Sequence, residues 1–371
     1  LLEDFLILLV GCVVMVFLAH WIIKRSVEIT EHFGFSGMFV GMTLLSIGTS
    51  LPEILTHIIG SVQIVKQPAL MNQVSALILG SNVGSDIFQQ NFVLGAIAIL
   101  GTIFIVKEDV IPDIGGLIGG TFVLFLACLD GFISKWEGIF LVVGYLTYLV
   151  YLKRKEKEEE TSKQKLAVPE MQKSKISENR VFWTKKQSFL ISESKTESFG
   201  KQGFSEKQVE KKKLDKREAA LSLIILVISF IAMTIIARQV LTSAENLVNN
   251  LAISASFFGV IILGIAAAMP ELTTALEALR KKESGMSAGI LLGSNVTNPM
   301  FAVGLGAIIS TYTVPSVIIW YDLPVKLLSC LLILFFFLKY KRLEKHLGVI
   351  LIGMFLLYLI VRILFFSVDT F

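Results

Sequence analysis

The chain is poor in charge and in the residues that build catalytic or metal centres. Charged residues make up 17% of its 371 positions, and there are four histidines and three cysteines. The cysteines, Cys12, Cys128 and Cys330, all sit in apolar runs without metal-ligand spacing, so they read as small hydrophobes. No nucleophile–base set, phosphate loop or zinc spacing is present, so nothing supports a membrane enzyme.

What is abundant is apolar surface. The chain is 54% hydrophobic with a mean hydropathy of +0.72, which excludes ordinary soluble globular composition and indicates an integral membrane protein. A bilayer core about 30 Å thick needs about 20 apolar helical residues. On that ruler about ten spans are expected, near 4–23, 37–64, 72–105, 113–130, 137–152, 218–237, 255–279, 286–310, 324–340 and 347–366. The first apolar run, Phe5–Ile23, shows no small-residue cleavage site and reads as a retained helix. The third, Asn72–Val106, is too long for one straight helix and holds Gly80, Gly84, Gly95 and Gly101, so a break or strong tilt is expected.

Polar residues concentrate between 153 and 217, which hold 19 Lys/Arg and 11 Asp/Glu. That segment has too little apolar surface to fold as a domain and reads as a mostly disordered spacer, with membrane-surface contact by the pairs Phe182-Trp183 and Phe189-Leu190 as the alternative. The expected organisation is a five-helix unit over 1–152, the linker over 153–217 and a second five-helix unit over 218–371. Ten basic residues of the short loops fall on one side: Lys24, Arg25, Lys107, Arg280, Lys281, Lys282, Lys339, Lys341, Arg342 and Lys345. Five fall on the other: Lys66, Lys135, Arg238, Lys326 and Arg362. The positive-inside rule then puts the linker in the cytoplasm and both termini outside. A compact chain of this kind suits a prokaryotic cell membrane.

Two pairs of shared words organise the halves. Gly41–Glu53 (GMTLLSIGTSLPE) lines up with Gly259–Glu271 (GVIILGIAAAMPE), matching Gly41 with Gly259, Pro52 with Pro270 and Glu53 with Glu271. Each is followed by Leu-Gly-Ser-Asn-Val, at Leu79–Val83 and at Leu292–Val296. Two related halves of five spans each must lie in the membrane with opposite topology. The fold expected is therefore all-α and polytopic, two inverted repeats with a site at their midplane interface.

The words carry chemistry. A charged group deep in a span costs about 2.5–3.5 kcal/mol on insertion scales, so Glu53 and Glu271 should face a partner or a water-filled cavity. Brought together they repel unless cations or protons neutralise them, and two negative charges suit one divalent cation. Pro52 and Pro270 lack the N–H that a helix returns to the preceding turn. Carbonyls freed near Gly48–Thr49 and Ala266–Ala267 are hard oxygen ligands of the kind calcium takes. Ser81 and Ser85 share one helix face, Asn82 and Asp86 the next, and Ser294 pairs with Asn298 in the same way. Asn82 and Asn295 read as inward-facing cavity groups, with close helix packing as the alternative. Asp86 has no counterpart on this alignment, and reads either as a cation-attracting or proton-carrying group or as a hydrogen bonder between helices. Thr49 and Ser50 add hydroxyls that Ala267 and Ala268 lack. His57, one turn beyond Glu53, reads as a lone interfacial histidine.

These words resemble the calcium/cation antiporter superfamily, the sodium/calcium exchanger-like group, whose two repeats each carry a Gly-Thr-Ser-Leu-Pro-Glu word and a Gly-Ser-Asn word. Gly48–Glu53 reproduces the first in full; Gly80–Asn82 and Gly293–Asn295 reproduce the second. The resemblance implies a ten-helix inverted repeat that exchanges Ca2+ for a monovalent cation by alternating access, the first and sixth spans moving across the core. It assigns calcium to Glu53, Glu271 and the carbonyls of Thr49 and Ala267. Coupling-cation sites fall to Ser50, Ser81, Ser85, Ser294 and Asn298, with Asn82, Asp86 and Asn295 as further cavity-lining positions. Sodium is the coupling ion expected, because the Gly-Asn-Ala-Val-Glu word of the proton-coupled branch is absent; a proton/calcium exchanger is the alternative. A cation channel and a non-transporting scaffold remain as readings from other classes. The partners implied are Ca2+, the counter-transported cation and membrane lipid, with no nucleic acid and no cofactor. The Ala267-Ala268 pair departs from the family word and removes a hydroxyl ligand, which puts a three-sodium stoichiometry in question.

Overall fold

The structure is a computed structural model that describes residues 1–33, 46–101, 103–104, 107–155, 216–280 and 284–371. Most of the linker, with Phe182, Trp183, Phe189 and Leu190, and the first part of the second span, with Gly41, lie outside these residues. Unit one comprises Leu1–Leu149 and Leu214–Phe371. Of the other, Val150–Lys213, only the helical residues 150–155 are described.

Among the described residues ten helical segments follow one another, each overlapping one of the expected spans. They are α1 (Leu2–Phe33), α2 (46–66), α3 (Pro68–Leu100), α4 (Lys107–Ala127), α5 (135–155), α6 (Lys216–Leu251), α7 (255–280), α8 (284–309), α9 (Ile318–Tyr340) and α10 (Lys345–Phe365). Among the described residues six stretches are long and apolar enough to cross a membrane by themselves: Pro68–Leu100, Val227–Leu251, Ala255–Leu276, Ser287–Ile309, Ile318–Tyr340 and Lys345–Phe365. Of these α3 is the most buried and α10 the least, which sets α3 in the protein interior. Peripheral helices turn apolar side chains such as Ile228, Phe140 and Leu357 outward, as a lipid-facing surface requires.

The long third run is divided by a π-helical stretch, Phe88–Val93, rather than by a loop; α8 has the same device at Asn298–Ala302. The expected sixth span, 218–237, is too short and begins too early. α6 continues to Leu251, and its apolar window is Val227–Leu251. Residues 238–251 are amphipathic, with Val240, Leu241, Ala244, Leu247 and Val248 buried at helical spacing, so a hydropathy ruler undervalues them. α6 pairs with α1, where a methyl on Gly11 would lie 2.5 Å from the Val240 side chain.

Four two-residue strands tie the halves together. β1 (Ile103–Phe104) pairs antiparallel with β4 (Arg342–Leu343), and β2 (Phe132–Ile133) with β3 (Tyr312–Thr313). The registers Ile103↔Leu343 and Ile133↔Tyr312 are the same contact with the halves exchanged, as a two-fold relation demands. Around α3 and α8 that relation joins residues 209 apart in number. α3 ends with the Gly101 N–H on the Ile97 carbonyl, α8 with the Ser310 N–H on the Gly306 carbonyl. Gly95 packs on the backbone of Gly348 as Gly304 packs on that of Gly138. The structural mate of Gly293-Ser294-Asn295 is therefore Gly84-Ser85-Asp86. The Gly80-Ser81-Asn82 word lies one helical turn earlier, so the word alignment is displaced by four residues in α3.

Three of the basic residues assigned to outer loops are not in loops. Lys326 and Arg362 are fully buried within α9 and α10, each beside an aspartate. Arg238 lies on the exposed face of α6, inside its apolar window, so only Lys66 and Lys135 of that set stand at helix ends.

Candidate functional site

The site forms where α2 and α7 are interrupted. In α2 a turn at Ser50 separates Ser46–Thr49 from Leu51–Lys66; in α7 a turn at Ala268 separates Gly264–Ala267 from Met269–Arg280. The cause is Pro52 and Pro270, each at the second position of the new helix and each without an N–H for the carbonyl four residues back. Glu53 and Glu271 follow at once, in the first turns, where the helix dipole favours a negative group.

Both carboxylates are buried, Glu53 at 2% exposure and Glu271 at 0%. Ser85 donates to Glu53 Oε1 at 2.9 Å. Glu53 Oε2 and both oxygens of Glu271 have no hydrogen-bond partner. Glu271 lies within electrostatic reach of Glu53 and of Asp86. Three unpartnered acidic oxygens at this depth are costly unless cations or protons meet them. Among the described residues no group of three or more His, Cys, Asp or Glu could hold a metal alone. A cation between the two glutamates must therefore draw on hydroxyl, amide and backbone oxygens as well. Ser50 Oγ, buried and unpartnered, is one. The Thr49 hydroxyl donates to the Ser46 carbonyl at 3.1 Å and lies beside the Glu271 carboxylate.

A cleft reaches this break from the α1–α6 side. It is lined by Cys12, Met15 and Val240 on that pair and by Pro52, Ala267 and Pro270 on the other, so half-buried Ala267 and the prolines border it. Ser81 also lines it, away from the Ser85 contact.

Behind the carboxylates α3 and α8 share a polar network. Gln89 donates to Ser85 Oγ at 3.0 Å and accepts from Ser294 Oγ at 2.5 Å and from Asn295 Nδ2 at 3.0 Å. It thus joins the serines of both repeats to Glu53. Gln90 donates to Asn295 Oδ1 at 2.9 Å. Asn298 donates to Asp86 Oδ1 at 2.9 Å, and Lys326 Nζ lies 2.5 Å from Asp86 Oδ2. Asn82 donates to the Asn298 carbonyl at 3.1 Å, a bond between helices rather than a cavity group.

The structure thus links Glu53, Ser85, Ser294 and Asn298 through Gln89 and Asp86 around the breaks that hold Thr49, Ser50 and Glu271, with Ser81 and Ala267 on the cleft. Sequence reasoning missed Gln89, Gln90 and Lys326. Gln89 was findable, because it follows Ser85 as Asn298 follows Ser294. Lys326 was hidden by its place in a run assigned to a loop end. Asp86 does have a counterpart, Asn295, once the halves are superposed. His57 is not interfacial: it is buried, its Nδ1 lies 3.2 Å from the Tyr312 hydroxyl, and that hydroxyl lies 2.6 Å from Ser61 Oγ. It joins the halves from the same helix as Glu53, one turn on.

Close helix contact places these groups. A methyl on Gly80 would stand 2.7 Å from the Ser256 carbonyl oxygen, and one on Gly264 2.7 Å from the Ser85 nitrogen. Only hydrogen at these positions lets α3 and α7 approach closely enough to bring Ser85 to Glu53.

Residues 4–153 and 221–364 match the profile of the family described as sodium/calcium exchanger protein. The chain is 26% identical over 359 residues to the inner membrane protein YrbG of Escherichia coli, covering 95% of this chain and 94% of that one. It is 24% identical over 382 residues to the sodium/calcium exchanger MaX1 of Methanosarcina acetivorans, covering 96% and 98%. Its fold is similar to that of the solved sodium-calcium exchanger NCX_Mj, with a TM-score of 0.59 and 21% identity over 98% of both chains.

Proposed function

This chain belongs to the sodium/calcium exchanger protein family, and from that premise we propose that it is a secondary antiporter exchanging Ca2+ for sodium by alternating access. The observation that carries the reading is the pair Glu53 and Glu271. They are buried in mated breaks of the two repeats, and three of their four oxygens have no partner. Calcium takes six to eight oxygens at about 2.3–2.6 Å, and the two carboxylates with the carbonyls of Thr49 and Ala267 are the hard ligands in place for it. Sodium takes the hydroxyl and amide oxygens around them, at Ser50, Ser81, Ser85, Ser294 and Asn298, and competes for the same glutamates. The cleft along α1 and α6 supports these two helices as the element that moves across the ion path. MaX1 and NCX_Mj, both described as sodium/calcium exchangers, support sodium as the coupling ion. The excess of basic residues in the loops on the linker's side supports a cytoplasmic linker.

The test is calcium-45 uptake into proteoliposomes under an outward sodium gradient and, separately, an outward proton gradient, with Glu53→Gln and Glu271→Gln beside the wild type. Uptake driven by sodium and lost in both variants is expected. Uptake driven by protons alone would replace the coupling ion. No uptake under either gradient by folded protein would overturn the reading.

A further inference from the structure

The described residues bury seven charged side chains: Glu53, Asp86, Glu245, Glu271, Asp322, Lys326 and Arg362. Asp322 and Arg362 pair with each other, and Glu245 accepts from Gln63 near the end of α2. Asp86 pairs with Lys326 at 2.5 Å, and Asp86 itself lies within electrostatic reach of both glutamates.

We propose that Lys326 is a built-in cation of the transport cavity. It neutralises Asp86 permanently, leaves Glu53 and Glu271 as the two exchangeable charges, and so fixes exchange at two monovalent cations per Ca2+ with no net charge moved. The inference rests on the antiport reading above and adds its stoichiometry.

Four observations lead there. Whichever partner holds the shared proton, the Asp86–Lys326 pair is neutral, and both side chains are at 0% exposure. The pair is also an addition to one repeat: the mate of Asp86 is Asn295, and at the same spacing the mate of Lys326 is Leu117. An acid and a base appear together where the other half has an amide and a hydrocarbon. Third, Asp86 takes the Asn298 N–H, which turns Asn298 Oδ1 the other way; that oxygen is buried and unpartnered. Asp86 thereby positions a neutral cation ligand instead of serving as a charged one. Last, Ala268 offers no hydroxyl where its counterpart Ser50 does, so the second half has fewer oxygens for a third monovalent ion. Physically, an occluded cavity with net charge suffers the desolvation cost of a buried ion. One Ca2+ or two monovalent cations each cancel two carboxylates, so both loaded forms can cross occluded.

The experiment measures the calcium ratio at which net flux stops, in proteoliposomes with a fixed sodium gradient, at zero potential and at an imposed potential of about 100 mV. One net charge per cycle would shift that ratio about fiftyfold. Wild type should show no shift, and its null calcium ratio should follow the square of the sodium ratio. Lys326→Met frees Asp86 as a third exchangeable charge, and its null ratio should follow the cube and shift about fiftyfold. Asp86→Asn with Lys326→Met gives this half the amide and the apolar side chain that the other has, and should return exchange to potential independence. Should Lys326→Met fail to fold, that double variant carries the test. A potential-dependent wild type, a potential-independent Lys326→Met that still transports, or a potential-dependent double variant would each overturn the inference while leaving antiport standing. Loss of all gradient-driven uptake by the wild type would instead strike the antiport reading itself.

Discussion

Asn298 and Gln89 hold the same place in the two repeats, and each reaches across to the helix of the other. Asn298 meets Asp86 at 2.9 Å; Gln89 meets Asn295, the mate of Asp86, at 3.0 Å. The contact is one contact used twice, with charge on one side only. It pins α3 to α8 directly behind the two glutamates, and it ties the polar network to the serine that holds Glu53.

Glu53 and Glu271 should not be equivalent to their neighbours. Glu53→Gln or Glu271→Gln removes one of two ligand charges, and calcium affinity should fall about a hundredfold or more. Ser85→Ala leaves both charges and removes one donor to Glu53, so its loss should be within about tenfold. Equilibrium calcium binding to purified protein in detergent ranks the three.

The unequal breaks predict opposite effects of a hydroxyl. Ser50→Ala should raise the sodium concentration for half-maximal exchange about fivefold, and Ala268→Ser should lower it by a similar factor. Calcium half-saturation should move much less in both, since neither side chain is in the calcium set. Sodium titrations of initial uptake rates at fixed calcium give the comparison.

Gly84 lies against the Val260 backbone, where an added methyl would overlap the carbonyl oxygen. Gly84→Ala must push α3 off α7 and should lower stability by about 1–3 kcal/mol, with loss of transport as Ser85 leaves Glu53. Gly353→Ala, on a glycine with nothing within 4 Å, should leave both unchanged. Thermal unfolding in detergent, read beside uptake, checks the pair.

The Asp322–Arg362 pair joins α9 to α10, and Tyr358 donates to Asp322 at 2.9 Å. Arg362 also donates to Ser256 Oγ at 2.6 Å, at the start of α7, where Asp369 accepts from the Ser256 nitrogen at 3.0 Å. Arg362→Met strands a buried carboxylate and should cost about 3–5 kcal/mol. Asp322→Asn with Arg362→Met should recover most of it, because the pair's own net contribution is small. The unfolding midpoints of the three proteins decide the matter.

Much of this was legible in the chain because membranes simplify the reading. Every span must satisfy its own backbone, so apolar length locates the helices, and Pro52-Glu53 and Pro270-Glu271 mark the breaks in the sequence itself. The ruler failed where residues 238–251 of α6 are amphipathic, since a face buried against α1 is not an apolar run. What the sequence by itself determined is the class of fold, the duplication and the acidic pair, because those rest on composition and on local backbone chemistry. Only the tertiary structure decided the true register of the halves in α3, since identical letters at Gly80-Ser81-Asn82 mask a geometric match at Gly84-Ser85-Asp86. It alone also showed that Lys326 meets Asp86 and that Gln89 links both repeats. Those contacts join residues more than 200 positions apart, and no local pattern encodes which distant side chains a helix packing will bring together.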